Sequence, residues 1–331
     1  MSRLPVPTYA FALVVVRRGH RFLLTQERKH GQLWYLPAGR VEPGETIISA
    51  AHRETLEETG VPIDFQRLGA VELALSHAEW EALQARAQRQ AALGIPSCAL
   101  SPKDLQKHAP LARQDSDGAL FYPQDALVDP RDVMSALRLA CLGRGVEIRE
   151  GIPVTRIGPH HDRVRIEAGA EVFETAAAVL AAGAWSSRIP VEGLSLPRAY
   201  PVRGHLIGFR LEPHSVGPLL RCGRTYVLQR SSGLTVAGSS SEEADFDRTL
   251  NPSIVSDIHT RAVGIVPILA HCQPAERWLG FRPAVEGGRP ALGRAANTAL
   301  WLAYGHYRNG ILLAPLTADR IAGEIIRQIC A

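Results

Sequence analysis

Three glutamates in one short stretch have the spacing of a metal site. Residues 46–59 contain no glycine or proline and predict a helix, with Glu54, Glu57 and Glu58 at positions i, i+3 and i+4. Carboxylates at that spacing share one helical face and repel one another, and a hard divalent cation such as Mg²⁺ would reverse that repulsion. Arg53 can hold one carboxylate in place by a forked ion pair. A solvent-exposed acidic helix face has the same pattern, so the glutamates alone leave both interpretations open.

The residues around these glutamates extend the pattern. Residues 39–61, GRVEPGETIISAAHRETLEETGV, match the arrangement G-x5-E-x7-R-E-U-x-E-E-x-G-U, where U is aliphatic, with Thr55 as a mild departure. This arrangement is the Nudix box, and the N-terminal segment resembles a Nudix hydrolase up to about Leu68. The resemblance implies metal ligands at Gly39, Glu54, Glu57 and Glu58. It implies catalytic roles for Arg53, Glu54, Glu57 and Glu58. The implied reaction is hydrolysis of a nucleoside diphosphate derivative with Mg²⁺ or Mn²⁺.

The C-terminal half carries residues suited to a different task, the binding of a carboxylate. A guanidinium binds a carboxylate in bidentate fashion, and Arg282 in GFRP and Arg308 in HYRNG are candidates for this role. Asn309 and Gly310 come at the predicted start of a long apolar helix, whose free N–H groups carry partial positive charge. In a chain this rich in arginine, a single arginine is more often an ordinary surface residue.

From about Gly69 onward the sequence resembles the D-amino-acid oxidase family, most of all the glycine oxidases of thiamine biosynthesis. The stretches that carry the resemblance are GALFYPQDALVDPRDV, AAVLAAGAWSS, PVRGHLIGF, TYVLQRSSGLTVAGSS, ERWLGFRPAVEGGRPALGR and YGHYRNGILLAP. It implies FAD as cofactor and oxidative deamination of a small amino acid or amine. The implied substrate-binding residues are Tyr226, Arg282 and Arg308. The implied cofactor-binding residues are Gly183, Asn309, Gly310 and Ile311. Core packing is the ordinary alternative for Tyr226, and a strand-ending turn is the alternative for Gly183.

The start of that family is missing from this sequence. The family opens with a strand, a G-x-G-x-x-G turn and a helix that hold the FAD diphosphate. GRGVEIREG and GGRPALG have the wrong spacing or context for this motif. The predicted fold class is therefore α/β plus α+β. A partial Nudix-like sandwich at residues 1–68 precedes an incomplete FAD-dependent oxidoreductase fold at 69–331. That fold has an interrupted Rossmann-like sheet and an antiparallel substrate-domain sheet.

Composition limits the partners. With 331 residues, 46% hydrophobic and 21% charged, the chain is typical of a soluble protein of about two domains. The net charge is only +4, and no cluster of basic residues alternates with aromatic residues, which excludes nucleic-acid binding. Five widely spaced cysteines without C-x-x-C favour a reducing compartment, and no apolar run is long enough to span a membrane. We expect a cytoplasmic protein that acts on small molecules, in which a homo-oligomer could complete the interrupted sheet.

Three functional hypotheses follow. The first is a flavin oxidase in which a Nudix segment replaces the dinucleotide-binding start. In the second, only the Nudix box is active and the oxidase-like body is a scaffold. The third is a non-catalytic fusion remnant or binding protein, which an in-frame deletion near the stretch RLGAVELAL would produce. Flavin binding with peroxide release would indicate the first hypothesis, and metal-dependent nucleotide hydrolysis would indicate the second. The third predicts neither activity.

Overall fold

The computed structural model describes residues 63–329 and, before them, six short strands. These are β1 (Phe11–Leu13), β2 (Arg17–Arg18), β3 (Arg21–Phe22), β4 (Thr25–Gln26), β5 (Trp34–Tyr35) and β6 (Ala38–Arg40). β1 pairs with β6, β2 with β3 and β4 with β5, each antiparallel. The predicted helix at residues 46–59, with the four charged residues of the box, lies outside the described residues.

The later strands and helices follow in chain order. The strands are β7 (Phe65–Gln66), β8 (Ala70–Ala74), β9 (Cys98–Ala99), β10 (Gly118–Tyr122), β11 (Leu127–Val128), β12 (Val154–Pro159), β13 (Val164–Ala168), β14 (Glu171–Thr175), β15 (Ala178–Leu180), β16 (Ala199–Arg210), β17 (Leu219–Cys222), β18 (Thr225–Gln229), β19 (Leu234–Gly238), β20 (Glu276–Val285), β21 (Ala291–Arg294) and β22 (Leu300–Tyr304). The α-helices of residues 63–329 are α1 (His77–Ala91), α2 (Pro102–His108), α3 (Pro130–Gly143), α4 (Pro252–Ile265) and α5 (Gly310–Ile329). No helix in this part of the chain is long and apolar enough to cross a membrane.

Backbone contacts divide the chain into two compact units. The first unit contains Met1–Ile63, Pro130–Tyr200 and Arg282–Ala331, and the second contains Asp64–Asp129 and Pro201–Phe281. Each unit is therefore assembled from separate stretches of sequence. The boundary predicted at Leu68 marks where the sequence changes its resemblance from one family to the other. The two units are defined by backbone contacts instead, so the two divisions describe different properties of the chain.

The second unit is built on most of an eight-stranded sheet in the order β20-β16-β19-β18-β17-β8-β10-β9. β8 pairs parallel with β17, whereas the other described registers in this sheet are antiparallel. Helix α4 buries Ile258 and Ala262 in the same core as Ile207, Phe209 and Val227 of the sheet. Full burial of an aliphatic or aromatic side chain contributes about 1.5–3 kcal/mol, so this apolar face holds the helix on the sheet.

The first unit contains a smaller sheet in the order β15-β22-β21, and a separate sheet in the order β12-β13-β14. β15 is parallel to β22, and β21 is antiparallel to it. Helix α5 buries Ile321 and Ile325 in one core with Leu300, Trp301 and Tyr304 of β22. Residues 146–150, which link α3 to β12, form neither helix nor strand.

Candidate functional site

Two turns, one of them the turn predicted at Gly183, lie at one edge of the small sheet in the first unit. β15 and β22 run parallel, with Leu180 opposite Leu302, and the turns at Gly183 and Gly305 follow these strands directly. Parallel neighbours end at the same edge of a sheet, so both turns lie at its carboxyl edge, where open α/β sheets bind ligands. Gly183 has a φ of +57°, a conformation that favours glycine.

The end of β20 packs against both turns. A Cβ placed on Gly183 would lie 4.0 Å from the Cβ of Pro283, and one placed on Gly305 would collide with the side chain of Val285. The segment from Arg282 to Val285 therefore follows the carboxyl edge of the sheet. This places Arg282, which is half-buried, next to the turn at Gly183.

The second turn leads into helix α5. A 3₁₀ turn, Tyr307–Asn309, precedes Gly310, and no side chain caps it. The first N–H groups of a helix have no partner within the helix, so this end offers backbone donors. Arg308 is exposed here, with its guanidinium carbon 5.6 Å from the centre of the Tyr307 ring. Ile311 is 50% exposed, so an apolar side chain stands beside the donors.

His306 is a residue of this edge to which the sequence analysis gave no role. Its Nε2 lies 2.9 Å from Oγ1 of Thr317, a contact that ties the turn to α5. Burial lowers the pKa of His306 below its usual value, so the ring is neutral at pH 7. The sequence feature that could have indicated a role for His306 is its position at the end of a strand, two residues before Arg308.

Tyr226 belongs to the second unit. It lies in β18, opposite Arg221 of β17 and Gly238 of β19, and is half-buried. A Cβ placed on Gly238 would come within 2.9 Å of the Tyr226 hydroxyl, so the phenol occupies space that only glycine leaves open. Arg282 and Arg308 belong to the first unit, and a joint site with Tyr226 remains a prediction.

The second unit also contains a polar network that sequence reasoning missed. Arg203 lies 2.8 Å from Glu242 and 2.5 Å from Asp247. His205 is fully buried, with Nδ1 2.8 Å from Glu242 and Nε2 accepting a hydrogen bond of 3.1 Å from the backbone N–H of Asn251. Because Nε2 accepts, the ring proton is assigned to Nδ1, which donates to the carboxylate. The contacts are all within the protein, which indicates a structural role.

The carboxyl edge of the small sheet fits the ring end of FAD. It offers the positive end of a helix dipole for negative charge, apolar side chains for a flat ring, and a left-handed glycine turn that lets backbone approach closely. The diphosphate end needs a different donor set. The sequence has no G-x-G-x-x-G turn, so this chain does not present the usual backbone cradle for that group.

The predicted metal site falls almost entirely outside the described residues. Gly39 lies in β6, opposite Ala12 of β1. The carboxylates of Glu54, Glu57 and Glu58 are not described, so the metal site stays a prediction. In the part of the chain that the structure describes, no group of three or more histidine, cysteine, aspartate or glutamate side chains could hold a metal ion.

Comparison with protein families identifies the class. A family profile described as FAD dependent oxidoreductase (DAO) matches residues 25–323, and the chain belongs to this family. The match begins well before Gly69, where the resemblance was expected to start, and it includes the box at residues 39–61. The Nudix interpretation therefore rests on the spacing of that box alone.

Particular relatives are glycine oxidases. Glycine oxidase of Geobacillus kaustophilus is 30% identical over 290 residues, covering 85% of this chain and 76% of that protein. Its crystal structure has a TM-score of 0.78 at 29% identity, with 85% of this chain and 76% of that chain covered. The glycine oxidase structure from Bacillus cereus gives 0.79 at 25% identity, with 85% and 78% covered.

A longer relative is the bifunctional protein ThiO/ThiG of Synechocystis sp. It is 33% identical over 235 residues, which cover 69% of this chain and 35% of that protein. This chain thus spans about a third of that relative's length.

Proposed function

We propose that this chain is an FAD-dependent oxidase for glycine or another small amino acid or amine. The observation that carries the proposal is the exposed Arg308 in the 3₁₀ turn that leads into α5, at the carboxyl edge of a parallel strand pair. That arrangement combines a carboxylate-binding cation with donors for a developing negative charge. The glycine oxidases similar to this chain support the choice of substrate.

Each residue of the edge has a role in this reaction. Arg308 binds the substrate carboxylate through two parallel hydrogen bonds, and Arg282 contributes a second cation from the neighbouring segment. Tyr226, in the second unit, is the third residue that the family resemblance implies for carboxylate binding. Fixing the carboxylate at several points restricts rotation and presents the α-carbon in one orientation.

The cofactor would supply the redox chemistry. Bound FAD would supply the two-electron oxidation of the amine to an imine, with dioxygen as the final oxidant that leaves as peroxide; hydrolysis of the imine gives a carbonyl compound and ammonia. Gly310 and Ile311 would hold the ring end of the cofactor at the start of α5, where the positive end of the helix dipole favours negative charge. Gly183 lets the backbone approach the ring closely. His306 is neutral at pH 7 and holds the turn to α5 through Thr317.

The first experiment is the visible absorption spectrum of the full chain after incubation with excess FAD and gel filtration. A retained flavin band, followed by peroxide release with glycine, supports the proposal. Arg308→Lys should then raise KM for glycine about 10-fold or more, because lysine cannot form the bidentate pair. Arg327→Lys, at an exposed position near the other end of α5, is the matched control. A chain that retains no flavin even in excess FAD contradicts the proposal.

A second candidate rests on the box at residues 39–61. Its spacing supports a magnesium- or manganese-dependent hydrolysis of a nucleoside diphosphate derivative. The measurement is metal-dependent release of a nucleoside monophosphate. It should be lost in Glu57→Gln and kept in Glu79→Gln, a glutamate of α1 outside the box. Equal turnover by Glu57→Gln and the parent would reject this activity. Absence of both activities would favour a binding protein or fusion remnant.

A further inference from the structure

Tyr307 has an unusual backbone conformation, directly before Arg308 at the carboxyl edge of the small sheet. Its φ is +53°, in the left-handed region that residues other than glycine rarely adopt. This conformation is unfavourable for a bulky residue and persists only where the surrounding structure fixes the backbone. Residues held in this way cluster at binding and catalytic sites. The conformation of Tyr307 therefore points to a task at this turn.

Contacts of the two preceding residues fix the backbone here. Gly305 packs so closely against β20 that an added Cβ would collide with Val285. Nε2 of His306 lies 2.9 Å from Oγ1 of Thr317 in α5. Tyr307 thus follows two anchored residues, and its left-handed conformation decides the direction in which its ring points.

The ring of Tyr307 supports the guanidinium of Arg308. The guanidinium carbon lies over the ring, 5.6 Å from its centre, within the range of a cation–π contact. Side chains of neighbouring residues point apart in regular helices and strands, so this contact depends on the left-handed conformation. Tyr307 is 36% exposed, so the stacked pair lies at the surface of the turn.

Arg308 differs in its partners from other arginines that lie over rings. Arg149 and Arg221 also lie over aromatic rings, and each is paired with carboxylates as well. Within the part of the chain that the structure describes, no carboxylate pairs with Arg308. Its charge is therefore left for a ligand, and the ring supports the group without neutralising it.

We propose that Tyr307 is a positioning residue that holds Arg308 ready for the substrate carboxylate, a role that rests on the proposed amino-acid oxidase function. A guanidinium stacked on a ring keeps the N–H donors of its edge free, so it can still form two parallel hydrogen bonds with a carboxylate. The stack also restricts the rotation of a long side chain that is otherwise exposed. Less freedom is then lost when the substrate binds, which strengthens binding.

Three substitutions separate the ring from the backbone conformation. Tyr307→Phe keeps the ring, Tyr307→Leu keeps only an apolar side chain, and Tyr307→Asn loses the ring but tolerates left-handed backbone. In the flavin-loaded chain, KM for glycine should rise about 3- to 10-fold in the Asn and Leu variants, with kcat within about 2-fold of the parent. Tyr307→Phe should keep both constants within about 2-fold of the parent, because the ring remains.

Chemical modification of arginine provides a second measurement that needs no oxidase activity. Phenylglyoxal reacts with accessible guanidinium groups, and mass spectrometry compares its rate at Arg308 with that at Arg327, an exposed arginine near the other end of α5. Without the supporting ring, Arg308 should react several-fold faster in Tyr307→Asn and Tyr307→Leu, and at the parent's rate in Tyr307→Phe. Arg327 should react equally in all four proteins.

The two measurements distinguish failure of this inference from failure of the proposed function. A parent chain that retains no flavin contradicts the proposed function, and the rates at Arg308 then decide whether Tyr307 holds that side chain. Faster modification in both variants that lack the ring supports the inference, and unchanged rates overturn it. In an active oxidase, an unchanged KM in both variants would overturn it as well. Equal effects of Tyr307→Phe and Tyr307→Asn would also do so, because the ring would then not be the support.

Discussion

The hydroxyl of Tyr226 lies over the backbone of Gly238 in the next strand. The two residues are directly opposite in the antiparallel pair β18–β19. A Cβ on Gly238 would lie 2.9 Å from the hydroxyl oxygen and 3.0 Å from Cζ of the ring. These distances are shorter than ordinary van der Waals contact, so the position of the phenol depends on the absence of a side chain at residue 238.

Gly238→Ala should displace the Tyr226 ring and destabilise the fold. Inserting a methyl group into a packed position typically costs about 1–3 kcal/mol. Urea unfolding measures the stability, and KM for glycine measures the effect on the proposed substrate contact. Because Tyr226 would bind the carboxylate, its displacement should raise KM more than it lowers kcat.

The same change in a Tyr226→Leu background provides the control. Leucine lacks both atoms that the new Cβ would approach, so Gly238→Ala should then cost less by about 1 kcal/mol or more. An equal cost in the two backgrounds would show that the clash is with another neighbour, such as Leu206, whose Cδ2 would lie 3.2 Å away.

Glu72 holds two arginines in the second unit. It is 6% exposed, and its Oε2 lies 2.5 Å from Arg86 and 3.6 Å from Arg221. Glu72→Gln keeps the shape but leaves two guanidinium groups without their shared counter-charge. Breaking a buried pair costs about 3–5 kcal/mol, and we expect about 2–3 kcal/mol here because both arginine side chains are partly exposed. The free energy of unfolding in urea provides the measurement.

Glu81→Gln is the matched control for this change. Glu81 pairs with His77 on the surface of α1, and its side chain is 69% exposed. Exposed substitutions of this kind change stability by no more than about 0.5 kcal/mol. If both variants unfolded at the same urea concentration as the parent, Glu72 would have no special structural role.

The network around Arg203 predicts a loss of stability in acid. Burial alone would raise the pKa of Glu242, but hydrogen bonds from Ser240, Arg203 and His205 outweigh burial and lower it below 4.5. Hydrogen bonds from Thr249, together with Arg203, lower the pKa of Asp247 to about 2. A carboxyl group whose pKa is lower in the folded chain stabilises the fold above its unfolded pKa. This contribution disappears as the pH falls through the folded value.

Stability from this network should therefore be complete above about pH 5 and decline between about pH 4.5 and pH 2. The free energy of unfolding, measured in urea from about pH 6 to pH 3, tests this. Glu242→Gln should reduce the dependence on pH, whereas Glu243→Gln, at an exposed neighbouring position, should retain the parent's dependence. Identical pH profiles for Glu242→Gln and the parent would contradict the assignment.

Local sequence signals predicted the helix starts well. Ser101 followed by Pro102 is a residue pair typical of a helix start, and in α2 the Ser101 hydroxyl accepts a hydrogen bond of 3.2 Å from the N–H of Asp104. The start of α5 at Gly310 was also predicted. In these cases the cap and the first turn lie within a few residues of one another, so the signal is contained in a short window.

Contacts between distant residues could not be predicted in this way. β8 pairs parallel with β17, with Val71 opposite Leu220, and no local pattern encodes that pairing. The same holds for the contact of Pro283 with the turn at Gly183, which brings Arg282 near that turn. Family resemblance supplied the identity of Arg282 and Arg308. Their position relative to the sheet edge follows only from strand pairing.

Gly305→Ala should destabilise the first unit by more than its backbone conformation alone explains. Gly305 and Gly287 both have positive φ, +87° and +80°, and such a φ costs a non-glycine residue about 1–2 kcal/mol. Only at Gly305 would a Cβ collide with Val285, whereas at Gly287 nothing lies within 4 Å. Gly287→Ala should therefore show the conformational cost alone, and Gly305→Ala should cost about 1–3 kcal/mol more. Urea unfolding compares the two, and Val285→Ala should relieve most of the additional cost at Gly305. Equal losses of stability at both glycines would show that β20 does not pack against this turn. That result would also contradict the placement of Arg282 at the carboxyl edge of the sheet.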